Sequence, residues 1–184
     1  MKPDYQTALS ELSVVLDGVD THSVDEACRM IADANSLLLY GCGREGLQMR
    51  GLSMRLYHLG LKAGMVADMT AQPLGPGDLF VVSAGPGELS TVTALMNVAK
   101  RDGAQTILFT ATPDAPVTTI ADHTVHIPAQ TMASDKTRAI PSILPMGSIY
   151  EGAMFMLFEM MVLQLQDMMS VDVDEMRARH TNME

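Results

Sequence analysis

The sequence has no tryptophan and only four phenylalanines and four tyrosines, against seventeen methionines. Aromatic rings therefore cannot supply most of its interior bulk, and methionine reads as flexible filler of core and interface. There are two cysteines, Cys28 and Cys42, too few for a disulfide framework or a cysteine-built metal site. A reducing compartment follows as the simplest setting. Basic residues are scarce: 12 Lys and Arg stand against 22 Asp and Glu, for a formal net charge of −10, with no basic run. Such a surface repels nucleic acid and anionic lipid. Long apolar runs are missing too. The most apolar stretch, 152–165, is broken by Glu159 and falls short of the roughly 20 residues that a bilayer requires. Residues 1–20 are periodic and carry acids, without the charged-then-apolar layout of a leader. The expectation is a cytoplasmic protein that engages neither nucleic acid nor membrane.

What is present is a chain of 184 residues, 47% hydrophobic, enough for one α/β domain over 1–184 with a sizeable core. Leu9, Leu12, Leu16 and Val19 recur at helical spacing. Ser23 and Glu26 have the form of a capping box opening a second helix toward Ala34. Short apolar runs at 36–40, 63–66, 78–83, 105–109 and 123–127 read as buried strands. Helical patterns at 47–59, 88–101 and 117–121 lie between them. A long polar loop (128–145), a long helix (147–168) and a short one from Asp172 complete the chain. Alternation of strand and helix predicts a parallel, doubly wound sheet, with ligands at the carboxyl ends of its strands.

Two glycine loops fall at such ends. Gly41-Cys-Gly43-Arg-Glu-Gly46 matches G-x-G-x-x-G between strand and helix, and Asp68 follows the second strand, so a dinucleotide site is one reading. The length of the chain, a second glycine turn at 83–88 and the lack of a hydride-transfer site weigh against it. No metal or redox cofactor is expected.

Gly41-Cys-Gly43-Arg44 followed by Met54-Arg55-Leu56-Tyr57-His58-Leu59-Gly60, together with Gly77-Asp-Leu79 and the 83–88 turn, resembles the two loops of the sugar isomerase (SIS) domain. Ser142-Ile-Leu-Pro145-Met-Gly-Ser148-Ile-Tyr-Glu151 and Met176-Arg-Ala-Arg-His180-Thr-Asn182-Met-Glu184 resemble the C-terminal signatures of its 6-phospho-3-hexuloisomerase branch. The resemblance implies a three-layer α/β/α sandwich on a five-stranded, flavodoxin-like parallel sheet: helices over 3–34, a core over 36–127, and a loop with helices over 128–184. It also implies an aldose–ketose isomerase working through an enediol. Glu151 would be the base and His180 a partner in ring opening or proton transfer. Gly41, Gly43, Arg44, Glu45, Ser83, Gly85, Gly87, Glu88, Ser90, Thr91, Arg55 and Ser148 would line the sugar site. The alternative is a non-catalytic regulator that binds a carbohydrate derivative.

The chain departs from this family where the phosphate is held. The first loop's serine is Glu45, and hydroxyls of the second loop become Ala84, Pro86 and Leu89, with Thr91 keeping one. A phosphate needs donors, and a carboxylate about 4 Å from it costs roughly 4 kcal/mol at surface-like dielectric. Backbone N–H groups of Gly43, Gly85 and Gly87 remain as possible anion donors. The sharp reading is a less anionic ligand. In the plainer one Glu45 turns to solvent, pairs with Arg44, Arg50 or Lys136, or meets its helix end. Glu151 likewise has a plain role, closing a capping box with Ser148, as does His58, a C-terminal helix donor. Arg44 and Arg55 bind substrate oxygens or form salt bridges. Cys42 lacks a paired base. The long helix is apolar almost all round, which predicts a dimer or tetramer built on it.

Overall fold

The computed structural model describes residues 4–137 and 141–183. Residues 138–140 of the predicted 128–145 loop and the terminal Glu184 lie outside this range. The five apolar runs form one parallel sheet: β1 (Leu37–Gly41), β2 (Ala63–Met65), β3 (Leu79–Ser83), β4 (Gln105–Thr110) and β5 (His123–His126). The order is β2-β1-β3-β4-β5, the flavodoxin-like arrangement, whose switch point lies between β1 and β3. In-register pairing puts Gly41 beside Ser83, so both glycine loops leave the sheet side by side.

Alternate side chains of each strand enter opposite layers. Leu37, Leu39, Leu79, Val81, Ile107, Phe109 and Val125 pack with four helices: α1 (Tyr5–Asp17), α2 (Thr21–Asp33), α3 (Gly43–His58) and α5 (Ser148–Met169). Leu38, Tyr40, Phe80, Val82 and Leu108 pack under α4 (Ser90–Arg101) and a 3-10 turn at Pro116–Thr119. The three-layer sandwich predicted from the sequence is thus present, and one layer is much the thicker. A last helix, α6 (Val173–Ala178), docks on α3 through the tail.

Helix starts differ from the local reading. Asp20, not Ser23, caps α2, accepting from the His22 N–H. α3 begins at Gly43, directly on the glycine loop, four residues before the apolar pattern starts. No capping box opens α5: its N-cap is Gly147 at φ 70°, and Ser148 lies inside the helix. Gly147 is required there, because a Cβ would stand 2.1 Å from the Thr131 carbonyl carbon, in a backbone region that other residues enter only under strain.

By length and composition alone the 145–169 helical stretch passes for a membrane span, longer than the apolar run suggested, but half of it is buried inside the fold. Its other side carries Phe155 (55% exposed), Met156, Met160 and Leu163 (54% exposed), and α3 adds Leu47, Met54 and Tyr57. Exposed apolar residues in that number on neighbouring helices are the kind of surface on which copies associate. We expect sedimentation at micromolar concentration to give a dimer or tetramer, and Phe155→Glu with Leu163→Glu to lower the mass. A monodisperse wild-type monomer would contradict this.

Candidate active site

Three helices begin at the carboxyl edge of the sheet: α3, α4 and α5. None has a side-chain cap on its first turn, whereas α1, α2 and α6 are each capped by an aspartate, Asp4, Asp20 and Asp172. Open N–H groups and positive dipole ends therefore gather where the glycine loops lie.

Within that edge the glycines serve mostly for packing. A Cβ at Gly46 would stand 2.5 Å from the Gly41 carbonyl oxygen, and one at Gly87 would stand 2.7 Å from Ala115 Cβ. A Cβ at Gly85 would meet the Tyr150 ring at 2.8 Å. Gly43 alone among these has open space around it, at φ 55°. Of the three backbone donors expected, two are already taken. Gly85 N–H donates to Glu45, and Gly87 N–H donates to the Ala84 carbonyl.

Glu45 lies between the loops, 8% exposed. It does not turn to solvent, and among the described residues it forms no ion pair of its own. Its Oε2 accepts from Ser83 Oγ at 2.5 Å and from the Gly85 N–H at 3.0 Å. Ser83 Oγ is also 3.2 Å from the Tyr150 hydroxyl. Since the single serine proton goes to Glu45, Tyr150 is the donor in that contact. Burial, then the nearby Glu45 carboxyl, push the Tyr150 phenol well above its ordinary value, which keeps it a donor. Beside this chain runs a second one. Arg44 donates to Glu151 through Nε (3.1 Å) and Nη2 (3.4 Å), and its Nη2 also meets the Met146 carbonyl at 2.6 Å. Two adjacent pairs, Arg44-Glu45 and Tyr150-Glu151, are thus tied across the start of α3 and α5.

The other predicted site residues divide by position. Ser148 is half-buried in the first turn of α5, while Glu88, Ser90 and Thr91 are exposed on the second loop and the first turn of α4. Cys42, at the N-cap of α3, has its thiol 3.7 Å from the Tyr40 hydroxyl. Arg55 is remote from the loops, in a two-pronged ion pair with Glu159 at 3.0 and 3.1 Å. His180 is remote too: its ring stacks 5.3 Å from that of His58, at the far end of α3. A helix of 16 residues separates its ends by about 24 Å, so one chain does not bring His180 to Glu151. At that end Arg179 Nη1 donates to the His58 carbonyl, supplying the C-terminal donor expected of the His58 side chain.

A cavity of about 830 Å³ lies along β2, lined by Tyr57, Lys62, Asp68 and Arg179 among others. It is away from the glycine loops, and Asp68 there accepts the Met65 N–H at 3.1 Å, a turn contact. The sequence reading had missed Tyr150. An aromatic with a polar tip, one residue before the proposed base, was its only signal.

Burial raises the Glu45 carboxyl above its ordinary value. Ser83, Gly85 and Arg44 pull it down and Glu151 pushes it up, for a net upward direction. With a folded value above the unfolded one, the stability it contributes is complete below the unfolded pKa and is lost as pH rises through the folded one. Glu45→Gln removes this titration. The Tm of the variant minus that of wild type should therefore rise from acid pH to pH 8. A difference that is flat or falls with pH would refute the assignment.

Comparison with known proteins agrees with this architecture. The SIS domain profile matches residues 30–156. The 3-hexulose-6-phosphate isomerase of Mycobacterium gastri is 34% identical over 166 residues, covering 90% of this chain and 82% of that protein. A hypothetical protein of Methanococcus jannaschii, whose crystal structure was taken to infer a 3-hexulose-6-phosphate isomerase function, superposes with a TM-score of 0.83. It is 23% identical, over 96% of this chain and 98% of that one. The Escherichia coli transcriptional regulator RpiR is 28% identical over 126 residues, 64% of this chain and 43% of its own length. With its sheet order, paired glycine loops and profile match over most of its length, the chain belongs to the SIS domain family.

Proposed function

We propose that this chain is a single-domain, cytoplasmic sugar isomerase, working as a homo-oligomer without metal or redox cofactor on a ligand less anionic than a sugar phosphate. The observation that carries the reaction is Glu151. It stands in the first turn of α5 at the switch point, held by Arg44 at 3.1 Å and free of the capping duty that would have explained it otherwise. A carboxylate so placed can take a proton from the carbon beside a carbonyl and return it to the neighbouring carbon. His180 would join it from another copy of the chain. The names of the 3-hexulose-6-phosphate isomerases among its relatives support the reaction class.

The observation that carries the ligand class is Glu45. It takes up Ser83 Oγ and the Gly85 N–H, two donors that the resemblance assigns to an incoming anion. A second reading, a sugar-binding regulator, is favoured by the similarity to RpiR and by the missing hydroxyls.

Two measurements test these statements. Glu151→Gln should keep the fold, since Arg44 can still donate to the amide oxygen, and abolish proton exchange and isomerisation of a ketohexose followed by NMR in heavy water. Activity within a few-fold of wild type would rule out Glu151 as the base. Binding by wild type with no exchange at carbon would favour the regulator. In calorimetry, wild type should bind a ketohexose more tightly than its 6-phosphate, and Glu45→Ser should improve binding of the phosphate ester by about tenfold or more, the ~1.4 kcal/mol that relief of one partly screened repulsion provides. Tight phosphate-ester binding unchanged by Glu45→Ser would show that the ester does not meet Glu45.

A further inference from the structure

An isomerase of the proposed kind must move protons on oxygen as well as on carbon. Each time the base takes a proton from carbon, the carbonyl oxygen has to gain one, and the neighbouring hydroxyl has to lose one as the new carbonyl forms. In one chain His180 stands at the other end of α3 from Glu151. The carboxyl that the fold does place beside Glu151 is Glu45. The two are joined through adjacent residues, Arg44 to Glu151 on one side and Glu45 through Ser83 to Tyr150 on the other.

The attachment of Glu45 is one-sided. Both of its donors, Ser83 Oγ and the Gly85 N–H, go to Oε2. Among the described residues Oε1 accepts no hydrogen bond, yet the one buried side-chain polar atom without a partner is Thr93 Oγ1. Oε1 therefore keeps an opening toward solvent. It lies against Gly85, 3.1 Å from where a Cβ would be, on the floor between the two loops. A carboxyl fixed by one oxygen and open at the other is arranged to carry a proton on the open one.

We propose that Glu45 is a second catalytic residue, the acid and base that serves the substrate oxygens while Glu151 serves the carbons. This rests on the isomerase reading above. In the forward half, Glu151 accepts the proton on carbon, the electron pair of that C–H bond becomes the C=C bond of the enediol, and the carbonyl oxygen takes the proton of Glu45 Oε1. In the second half, the Glu45 carboxylate accepts the proton of the other enediol hydroxyl, the C=O bond forms there, and Glu151 returns its proton to the former carbonyl carbon. Both residues end as they began. Ser83 and Tyr150 are positioning residues, holding Oε2. Burial raises the affinity of the Glu45 carboxyl for its proton, the direction that an acid role requires.

The test uses the full chain with a 3-ketohexose and its 6-phosphate, assayed for turnover against pH and for proton exchange at carbon in heavy water. Wild type should show an alkaline limb in kcat/KM from deprotonation of Glu45. Glu45→Gln, which keeps the shape and the contact to Ser83, should lower kcat about 100-fold, within the range of general acid–base catalysis, and abolish that limb. Glu45→Asp should restore part of it. Ser83→Ala removes a donor that favours the ionised form and should move the limb to higher pH, a displacement that a merely structural Glu45 would not produce. Turnover of Glu45→Gln within threefold of wild type with the limb unchanged would overturn the proposal. A limb that stays in place in Ser83→Ala would do the same. Wild type that exchanges no carbon proton with either sugar would instead sink the isomerase reading itself.

Discussion

A carboxyl buried at the switch point of a parallel sheet has to be answered by donors, and much of the arrangement at the carboxyl edge follows from that requirement at Glu45. Left unmatched, a buried carboxylate is costly by several kcal/mol. Here the donors come from β3 and the loop after it, Ser83 Oγ and the Gly85 N–H, so the first turn of α3 is drawn across to the second glycine loop. Ser83 in turn needs a donor, which Tyr150 provides, and this fixes the start of α5 over the same point. Gly85 can have no side chain, because the Tyr150 ring and Glu45 Oε1 fill its space. One replacement in the first loop is thereby tied to the second loop and to the C-terminal signature.

The helices α3 and α5 run in the same direction, as their two ion pairs show: Arg44 with Glu151 near their starts and Arg55 with Glu159 farther along. The first pair lies among open helix ends and the second between half-exposed flanks. On the proposed reading, chemistry and association are thus divided along one helix pair. At the start of α3 stand Glu45 and the arginine that orients Glu151. At its end stand His58 and the tail with Arg179 and His180. For His180 to meet the substrate that Glu151 meets, it must come from a second copy, and the exposed apolar side of α5 is the surface through which copies would join.

The sheet was legible because its signals are local. Each strand is a short apolar run stopped by glycine or a polar turn, and each lies within about a residue of its expected place. The starts of helices were not, because competition at a distance decides them. Ser148 and Glu151 have the spacing of a capping box, but Arg44, 107 residues away from Glu151, takes the carboxylate, and the chain enters α5 through a glycine at φ 70° instead. Ser23 and Glu26 look like a helix start, but Asp20 caps the helix first. Glu45 shows the same limit. The sequence suggested solvent, a pair with Arg44, Arg50 or Lys136, or the helix end, and its partner proved to be Ser83, 38 residues on. The glycines were read as a cradle for a ligand, and most are sites where backbone meets a neighbouring chain segment, a distinction that sequence spacing does not carry.

The charge at this edge sets what it can hold. Three uncapped helix starts contribute about +0.5 each, roughly +1.5 in all, while Arg44 and Glu151 cancel. A phosphate monoester brings about −1.5 to −2. With Glu45 protonated the two nearly balance; with Glu45 ionised the site retains only about +0.5, and the ester would leave an excess of negative charge in a partly dry cleft. The two donors that would have softened this are already bound to Glu45 Oε2. In this chain the tolerance for an anionic ligand is therefore coupled to the protonation of Glu45, the group proposed to serve the substrate's oxygens. On the proposed reading, ligand class and proton transfer are two consequences of the same side chain, so replacing Glu45 by serine and by glutamine separates them: the first supplies a donor, and the second removes only the titration.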